Sequence, residues 1–220
     1  NYGLASTVYD HSGNQNHGTI YGSDWVENIE GCTDESACNY DDQANIDDES
    51  CVYNTGTWFV SNNAVNGCGS ESAPLSSIQN AINSSQEGDS VFVSSGTYYE
   101  NIDFNGKNLS IIGENRETTI IDGSQNGSVV SFTNGENNSS FLSEFTITNG
   151  LSYPKGGGIY IDAANPKLQN LIVSNNTAEL TDNGGSGGGI YMSNTDNTIL
   201  NNLIIRDNLS IAGGGIFLDF

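Results

Sequence analysis

Residues 156–161 read Gly-Gly-Gly-Ile-Tyr-Ile, and close copies stand at residues 187–192 (Gly-Gly-Gly-Ile-Tyr-Met) and 213–218 (Gly-Gly-Gly-Ile-Phe-Leu). The copies begin at positions 156, 187 and 213, so they are 31 and 26 residues apart. A second phrase, Leu-Gln-Asn-Leu-Ile-Val-Ser-Asn-Asn at residues 168–176, recurs 32 residues later at residues 200–208, and a degenerate copy precedes it at residues 142–149. Self-similarity at this period predicts a solenoid of stacked coils.

The first phrase alternates as a half-buried strand does, with Ile159 and Ile161 on one face and Tyr160 on the other. A strand this short cannot bury its apolar face alone, so each copy is expected to stack on the next, about 4.8 Å away. The expected inner ladders are Ile159–Ile190–Ile216, Ile161–Met192–Leu218, Leu168–Leu200, Leu171–Leu203 and Val173–Ile205. The rival fold is a sandwich of hairpins, which is typically not accompanied by a fixed repeated phrase. The prediction is therefore an all-β fold, a right-handed parallel β-helix over residues 55–220.

Glycine and asparagine stand where such a chain must turn. Glycine reaches the required backbone angles at little cost, and asparagine tolerates them next best. Asn149, Asn175, Asn176 and Asn208 follow strands, where they are expected to turn the chain or to form hydrogen-bonded stacks along the solenoid axis.

A solenoid also needs a cap over its first coil, which otherwise exposes a sheet edge. Residues 77–85 supply one candidate, because Ile78, Ala81 and Ile82 fall at helical spacing. The sequence Gln-Glu-Gly-Asp at residues 86–89 then ends the helix before a strand at residues 91–93. A short N-terminal capping helix is therefore expected.

Residues 78–82, 88–91 and 96–102 together resemble the start of the pectate-lyase-like right-handed β-helix superfamily, and residues 108–113 and 119–123 continue the likeness. The resemblance covers about residues 57–220, and it implies an outer groove in which the enzymes of this superfamily act. The Gly-Gly-Gly-Ile phrases are instead similar to the Gly-Gly-hydrophobic repeats of polymorphic outer-membrane adhesins, with Val173 in place of Phe in the companion phrase. That second resemblance implies surface display or binding.

The composition excludes several functions. Five Lys and Arg against 27 Asp and Glu leave a net charge of −22, which repels nucleic acid phosphates and anionic lipids. No run of 18 apolar residues occurs, so no membrane insertion is expected. The chain begins at Asn1 rather than Met and stops at Phe220 just after a repeat strand. It is therefore expected to be a piece of a longer protein, with a β-helix that is incomplete at its C-terminus.

Residues 9–26 resemble a stretch of laminin-G-like, concanavalin-type sandwich domains, so residues 1–30 are expected to be a remnant of such a domain. Two histidines, His11 and His17, lie in this Gly- and Asn-rich stretch. They are interpreted either as metal ligands or as exposed turn residues.

Residues 31–54 form an acidic segment with seven carboxylates between its first and last cysteines. The segment resembles a short repeat, often ending Asp-Asp-Gly-Ser-Cys, that links domains in secreted bacterial surface proteins, with Glu49 in place of the usual Gly. Crowded hard oxygen ligands suit calcium, although the spacing is not that of an EF-hand. Two interpretations stay open: a calcium site formed by Asp34, Asp41, Asp47 and Asp48, and a solvated acidic linker.

Four cysteines without a Cys-x-x-Cys pair indicate disulfides in an oxidising compartment rather than zinc. Spacing alone allows three pairings. We favour Cys32 with Cys51, which closes the acidic loop, and Cys38 with Cys68, which ties that loop to the first coil.

Functional side chains of the repeat are expected on the outward face of the phrase strands. Tyr160, Tyr191 and Phe217 form an aromatic row that either stacks sugar rings or stabilises the sheet. Asp162 and Asp219 lie two coils apart, about 9.6 Å at the usual strand spacing, near the upper limit for an inverting carboxylate pair. Arg206 is the remaining weak catalytic candidate, although its neighbour Asp207 suggests a surface ion pair.

The predicted function is a non-catalytic module of a secreted or cell-surface bacterial protein that binds a polysaccharide or cell-surface glycan or mediates adhesion, with calcium as the one cofactor considered. The alternative is a polysaccharide lyase or hydrolase whose catalytic coils lie beyond Phe220. The Gly-His-Gly and Arg-x-Lys signatures of polygalacturonases do not occur. The sequence leaves the oligomeric state open.

Overall fold

Short parallel strands dominate the computed structural model of the chain, which describes residues 7–8, 12–14, 18–19, 27–65, 67–179 and 185–219. The chain divides into two compact units, Asn1–Tyr53 and Asn54–Phe220. His11 and His17 lie outside the described residues, as does most of the segment expected to be a laminin-G-like remnant. The proposed division of the first unit at residue 30 stays a prediction.

The first unit contains four two-residue strands among its described residues. They are β1 (Thr7–Val8), β2 (Gly18–Thr19), β3 (Glu30–Gly31) and β4 (Ile46–Asp47). Strands β1 and β2 pair antiparallel, whereas β3 and β4 pair parallel. The disulfide between Cys32 and Cys51 closes the acidic segment that contains β4.

The second unit contains one described α-helix and a long series of short strands. In chain order these are β5 (Thr57–Val60), α1 (Ile78–Ser84), β6 (Ser90–Val93), β7 (Gly96–Tyr99), β8 (Ile102–Asp103), β9 (Ser110–Gly113), β10 (Thr119–Asp122), β11 (Val130–Phe132), β12 (Phe141–Ser143), β13 (Thr146–Thr148), β14 (Leu151–Ser152), β15 (Ile159–Asp162), β16 (Lys167–Gln169), β17 (Ile172–Ser174), β18 (Thr177–Ala178), β19 (Ile190–Ser193), β20 (Ile199–Asn201), β21 (Ile204–Arg206) and β22 (Ile216–Asp219).

Three parallel sheets collect these strands. The first sheet has the order β5-β6-β9-β12-β16-β20, the second β7-β10-β13-β17-β21, and the third β8-β11-β15-β19-β22. From β6 onward, and leaving aside β14 and β18, successive strands enter the first, second and third sheets in turn, and we call each such set of three a rung. The small pair β14–β18 is also parallel and joins two rungs at a corner. This order is consistent with the coils of a β-helix and is not that of a hairpin sandwich, whose neighbours are antiparallel.

The register confirms four of the five predicted ladders, and the fifth, Leu171 with Leu203, stands just before the paired strands β17 and β21. Ile159 lies opposite Ile190, and Ile190 lies opposite Ile216. Leu168 pairs with Leu200 and Val173 with Ile205 in the same manner. The inward side chains of the middle rungs are fully buried, and each contributes about 2 kcal/mol to folding by leaving water.

The predicted capping helix is α1. Its N-cap Ser77 accepts a hydrogen bond from the backbone N–H of Asn80, and Ile78, Ala81 and Ile82 are all buried in the same core as the ladders. The carboxylate of Glu100 anchors the helix start by accepting hydrogen bonds from Ser77 and from the backbone N–H of Ile78.

The asparagines after the strands divide into two groups with different roles. Asn149 and Asn175 adopt positive φ (60° and 57°) and turn the chain, as expected. Asn176 and Asn208 do not turn the chain in this way. They form an interior stack in which Asn176 Nδ2 donates to Asn208 Oδ1 at 3.0 Å, because their amides satisfy backbone groups at the corner between rungs.

The corner between rungs also explains why each phrase begins with three glycines. Gly156 has φ +67°, a conformation that side chains rarely tolerate. A Cβ on Gly157 would lie 2.5 Å from the Thr177 carbonyl oxygen, and one on Gly158 would lie 2.5 Å from the Gly189 carbonyl oxygen. The first glycine therefore supplies a turn, and the next two allow neighbouring rungs to approach.

Within the described residues, no helix has both the length and the apolar composition that a membrane crossing requires.

Candidate functional site

The outward face of the third sheet carries the aromatic row that the repeat predicts. Tyr160 on β15, Tyr191 on β19 and Phe217 on β22 lie in register. The ring centroids of the two tyrosines are 5.5 Å apart, and those of Tyr191 and Phe217 are 5.9 Å apart, with interplanar angles of 26° and 9°. The rings therefore stack on one another along the axis.

For Tyr191 the stacking favours the second of the two interpretations, a ring that stabilises the sheet, because neither of its faces is open to a sugar. It is fully buried, with Tyr160 against one face and Phe217 against the other. Tyr160 differs, because its register partner on the opposite side is Ser131, which carries no ring. Tyr160 is partly exposed. The ring row thus has an open end at Tyr160 and a closed centre at Tyr191.

A second outward row lies two residues further along the same strands. It consists of Asp162, Ser193 and Asp219, again in register. Ser193 Oγ donates to Asp162 Oδ1 at 2.7 Å, and Asn194 Nδ2 donates to the same oxygen at 2.8 Å. These two donors lower the pKa of Asp162 below its ordinary value.

Lys155 completes the site, and sequence reasoning missed its role. Its Nζ lies 2.5 Å from Tyr191 Oη and 2.9 Å from Asp219 Oδ2, and 4.5 Å from the centroid of the Tyr191 ring. Tyr191 Oη donates in turn to Asp219 Oδ2. The hydrogen bonds to Tyr191 and Asp219 raise the pKa of Lys155, and those from Tyr191 and Lys155 lower the pKa of Asp219.

A signal for Lys155 is present in the repeat. Lys155 stands immediately before the first triple glycine, and the register partners in the next two copies are Ser186 and Ala212. Because Ser186 and Ala212 are small, they leave space beside the next two strands. The long side chain of Lys155 extends through this space to Tyr191 and Asp219. Comparing the residue before each phrase would have singled out this position.

These side chains surround an open groove of about 250 Å³. Its lining consists of Lys155, Tyr160, Asp162, Tyr191, Ser193, Asn194 and Asp219. One lysine and two aspartates give the groove a formal charge of −1. The groove combines one aromatic end with several hydrogen-bonding groups, all held on a regular sheet.

Arg206, the third weak catalytic candidate, does not line this groove. It lies on β21 in the second sheet, and its Nη1 is 3.4 Å from Asp207 Oδ2. Both side chains are 62% exposed. An ion pair this exposed contributes little, so Arg206 is a surface residue.

The four predicted calcium ligands each close a local turn. One carboxylate oxygen of each accepts a hydrogen bond from the backbone N–H two residues on, at 2.8 Å for Asp34, 2.9 Å for Asp41, 3.1 Å for Asp47 and 3.0 Å for Asp48. The hydroxyls of Tyr53 and Ser36 also lower the pKa of Asp34. Among the residues that the structure describes, no group of three or more His, Cys, Asp and Glu is placed to hold a metal ion. Calcium binding stays a prediction.

The cysteines are oxidised. Cys32 and Cys51 form the disulfide favoured from the sequence, and Cys38 and Cys68 are disulfide-bonded as well. Disulfides persist in oxidising environments, so the protein belongs to an extracellular or otherwise oxidising setting.

No protein-family model, curated protein or solved structure matches this chain. The resemblances to the pectate-lyase-like superfamily and to adhesins therefore stay predictions. The groove on the third sheet is the feature from which a function can be inferred.

Proposed function

We propose that residues 54–220 form a right-handed parallel β-helix and that the groove on its third sheet binds glycans without cleaving them. The fold is supported by three parallel sheets that the chain enters in strict rotation over five rungs. A secreted or cell-surface location, where the groove would mediate attachment, is supported by the two pairs of oxidised cysteines.

The observation that carries the glycan proposal is the open end of the aromatic row beside the groove. Tyr160 has a ring partner on one side only, and the residue in register on its other side is Ser131. A pyranose ring seated over Ser131 would pack its apolar face on Tyr160, as flat apolar surfaces of similar size do.

Hydrogen bonding beside Tyr160 fits sugar hydroxyls. Ser193 and Asn194 both already donate to Asp162, which fixes the orientation of all three side chains before a ligand arrives. Groups held in this way lose little conformational entropy on binding. The open face of Tyr160 and the preorganised polar groups of the groove therefore lie on neighbouring strands of one sheet, where a glycan chain can contact both.

The ionisation of the groove favours binding over catalysis. The raised pKa of Lys155 keeps its amine protonated, so it is not a base at neutral pH. The lowered pKa of Asp162 and of Asp219 keeps both carboxylates charged, whereas a glycosidase pair needs one protonated acid. The groups in the groove thus serve as fixed donors and acceptors.

The charge also selects the sugar class. A groove with a formal charge of −1 in a chain of net charge −22 repels uronates and sulfated sugars. Lys155 does not offset this repulsion, because its ammonium is already paired with Asp219. The ligand is therefore a neutral, hydroxyl-rich polysaccharide.

Affinity electrophoresis of the full chain in gels that contain xylan, mannan or β-glucan, or else polygalacturonate or alginate, tests the proposal. We expect retardation by one or more neutral polymers and none by the acidic ones. Tyr160→Thr should weaken retention about tenfold, because it removes a stacking contact worth on the order of 1.4 kcal/mol. Tyr99→Thr is the matched control, because Tyr99 is a 72% exposed tyrosine on β7 of the second sheet.

Two results would overturn the proposal. One is equal retention of Tyr160→Thr and wild type, and the other is preferential retention by the acidic polymers. Reproducible polymer cleavage that Asp162→Asn abolishes would instead establish the enzymatic alternative.

A further inference from the structure

The outward face of the first sheet carries a second row of apolar side chains that the glycan proposal does not use. Phe59 on β5, Phe92 on β6 and Ile112 on β9 lie in register. The two phenylalanine rings stack with their centroids 5.8 Å apart. Phe92 is 40% exposed, although its strand neighbours Val91 and Val93 are buried. Three neighbouring strands of the first sheet thus direct apolar side chains away from the core.

A cavity of about 410 Å³ lies over this row, which is larger than the groove on the third sheet. Phe59, Phe92 and Ile112 contribute apolar surface to it. Its other lining residues are Glu71 and Pro74 from the segment after β5, and Val93, Ser94, Gly113 and Glu114 from the ends of β6 and β9. The cavity is open to solvent, and its volume lies within the range of small-ligand sites.

The segment that contributes Glu71 and Pro74 is tied to β5 at both ends. Phe59 N–H donates to the Gly69 carbonyl at 2.8 Å, and Leu75 N–H donates to the Phe59 carbonyl at 2.9 Å. Within the segment, Ala73 N–H donates to the Ser70 carbonyl at 3.2 Å. This side of the cavity is therefore formed by hydrogen-bonded backbone rather than by a free loop.

Glu114 is also held in place. Its backbone N–H donates to the Val93 carbonyl at 2.8 Å, and its Oε2 accepts a hydrogen bond from the Ser95 N–H at 2.8 Å. The hydrogen bonds from Ser95 lower the pKa of Glu114, so its carboxylate is charged at neutral pH. The lining contains two carboxylates and no Lys or Arg.

From this arrangement we propose that the cavity is a binding site for a small organic cation with an apolar body, of the arylalkylammonium class. The apolar body would pack on Phe59, Phe92 and Ile112, and the ammonium would lie between Glu71 and Glu114. The strongly negative chain attracts such cations and repels anions. The site is independent of the groove on the third sheet and of the glycan proposal.

Three probes of nearly equal shape test the charge preference: 2-phenylethylammonium, 2-phenylethanol and phenylacetate. Titrations of the isotope-labelled full chain, followed by amide chemical shifts, report where each probe binds. We expect 2-phenylethylammonium to shift the amides of Phe92, Ser94, Gly113 and Glu114 and to leave those of Tyr191 and Ser193 unchanged. The alcohol should bind several-fold more weakly, and the carboxylate should not bind.

Matched variants locate the charge and the apolar surface. Glu71→Gln and Glu114→Gln should each weaken binding of 2-phenylethylammonium about two- to fivefold, the range for exposed charge pairs. Phe92→Thr should weaken the cation and the alcohol alike, because both use the apolar surface. Glu117→Gln is the control, because it removes an equal charge outside the cavity and should change nothing.

Raising the salt concentration to about 1 M should reduce the advantage of the cation over the alcohol, because exposed charges are then screened within about 3 Å. The proposal is wrong if the three probes bind equally, if the shifts appear elsewhere, or if Glu117→Gln has the same effect as Glu114→Gln. A lysine-containing peptide that shifts these amides when 2-phenylethylammonium does not would also overturn it, in favour of a protein partner.

Discussion

Two stacked rows of rings lie on the outside of the same scaffold, and they have different surroundings. In the third sheet the ring of Tyr191 is enclosed by two other rings and bonded through its hydroxyl to Lys155 and Asp219. In the first sheet Phe92 stacks on Phe59 and stays 40% exposed under an open cavity. The ladder geometry is alike in both. The side chains on the neighbouring strands decide how much of each ring stays exposed.

The largest difference that we expect between the two rows is in the free energy of unfolding lost when one ring is removed. Tyr191→Ala should lower the free energy of unfolding by about 3 kcal/mol, because it removes a fully buried ring and leaves a cavity. Phe92→Ala should cost about 1 kcal/mol, because that ring is already partly in water. Urea unfolding followed by circular dichroism measures both. Equal losses would show that the two rows do not differ in burial as described.

A smaller effect is expected from the lysine that covers the third-sheet row. Lys155→Met keeps the length of the side chain but removes the ammonium that bonds to Tyr191 and Asp219. Because Lys155 is 39% exposed, we expect a loss of about 1 kcal/mol in the free energy of unfolding. Lys167→Met, which removes a lysine whose Nζ lies 5.1 Å from the Phe141 ring centroid, is the control and should cost less.

Different ionisable groups should set the pH dependence of the two sites. Asp162 and Asp219 have lowered pKa values in the folded protein, so they stabilise it above their ordinary value of 3.8. That contribution is lost as the pH falls through the folded values. Lys155 has a raised pKa, so its contribution is complete below 10.5 and is lost in stronger base as the pH rises through the folded value.

The measurement is the unfolding midpoint of wild type against Asp219→Asn. The variant should be less stable at pH 7, and the difference should vanish as the pH is lowered below 3.8. In the first-sheet cavity, binding of 2-phenylethylammonium should instead be lost as the pH falls below 4.5 and through the lowered pKa of Glu114. A stability difference that persists in strong acid would contradict the ionised state of Asp219.

The smallest effect is expected away from both rows. Arg206→Gln removes an exposed ion pair with Asp207 and should change the free energy of unfolding by less than about 0.5 kcal/mol. Glycan retention should also stay unchanged, because Arg206 does not line the groove. A marked loss of retention would mean that the ligand extends from the third sheet onto the second.

Much of the fold could be predicted from periodicity. The inner ladders follow from the repeat, and the register contains four of the five that were predicted. The capping helix expected at residues 77–85 follows from helical spacing, and the structure has a helix at Ile78–Ser84. Glycine at position 156 indicated a turn because few other residues adopt φ +67°. The roles of Asn175 and Asn176 could not be separated, because neighbouring asparagines look alike until their backbone angles are known.

The candidate site was only partly predictable. Alternation placed Tyr160, Tyr191 and Asp162 on the outward face, and the register confirms that these strands are neighbours. Alternation does not tell which faces of a ring remain open, because that depends on the rungs on either side. For this reason the sequence left open whether Tyr191 contacts a sugar or stabilises the sheet, and the apolar row at Phe92 was not recognised as a surface feature.

By itself the sequence determined the repeat, the short strands, their inward and outward residues and the cysteines that become oxidised, because each depends on local pattern or composition. Only the tertiary structure decided that Lys155 reaches Tyr191 and Asp219, which lie 36 and 64 residues away along the chain. Stacking brings distant residues within one strand spacing of each other. The length of a side chain then selects its partners. The repeat marks position 155 as unusual, because Ser186 and Ala212 stand there in the next copies, but it does not identify those partners.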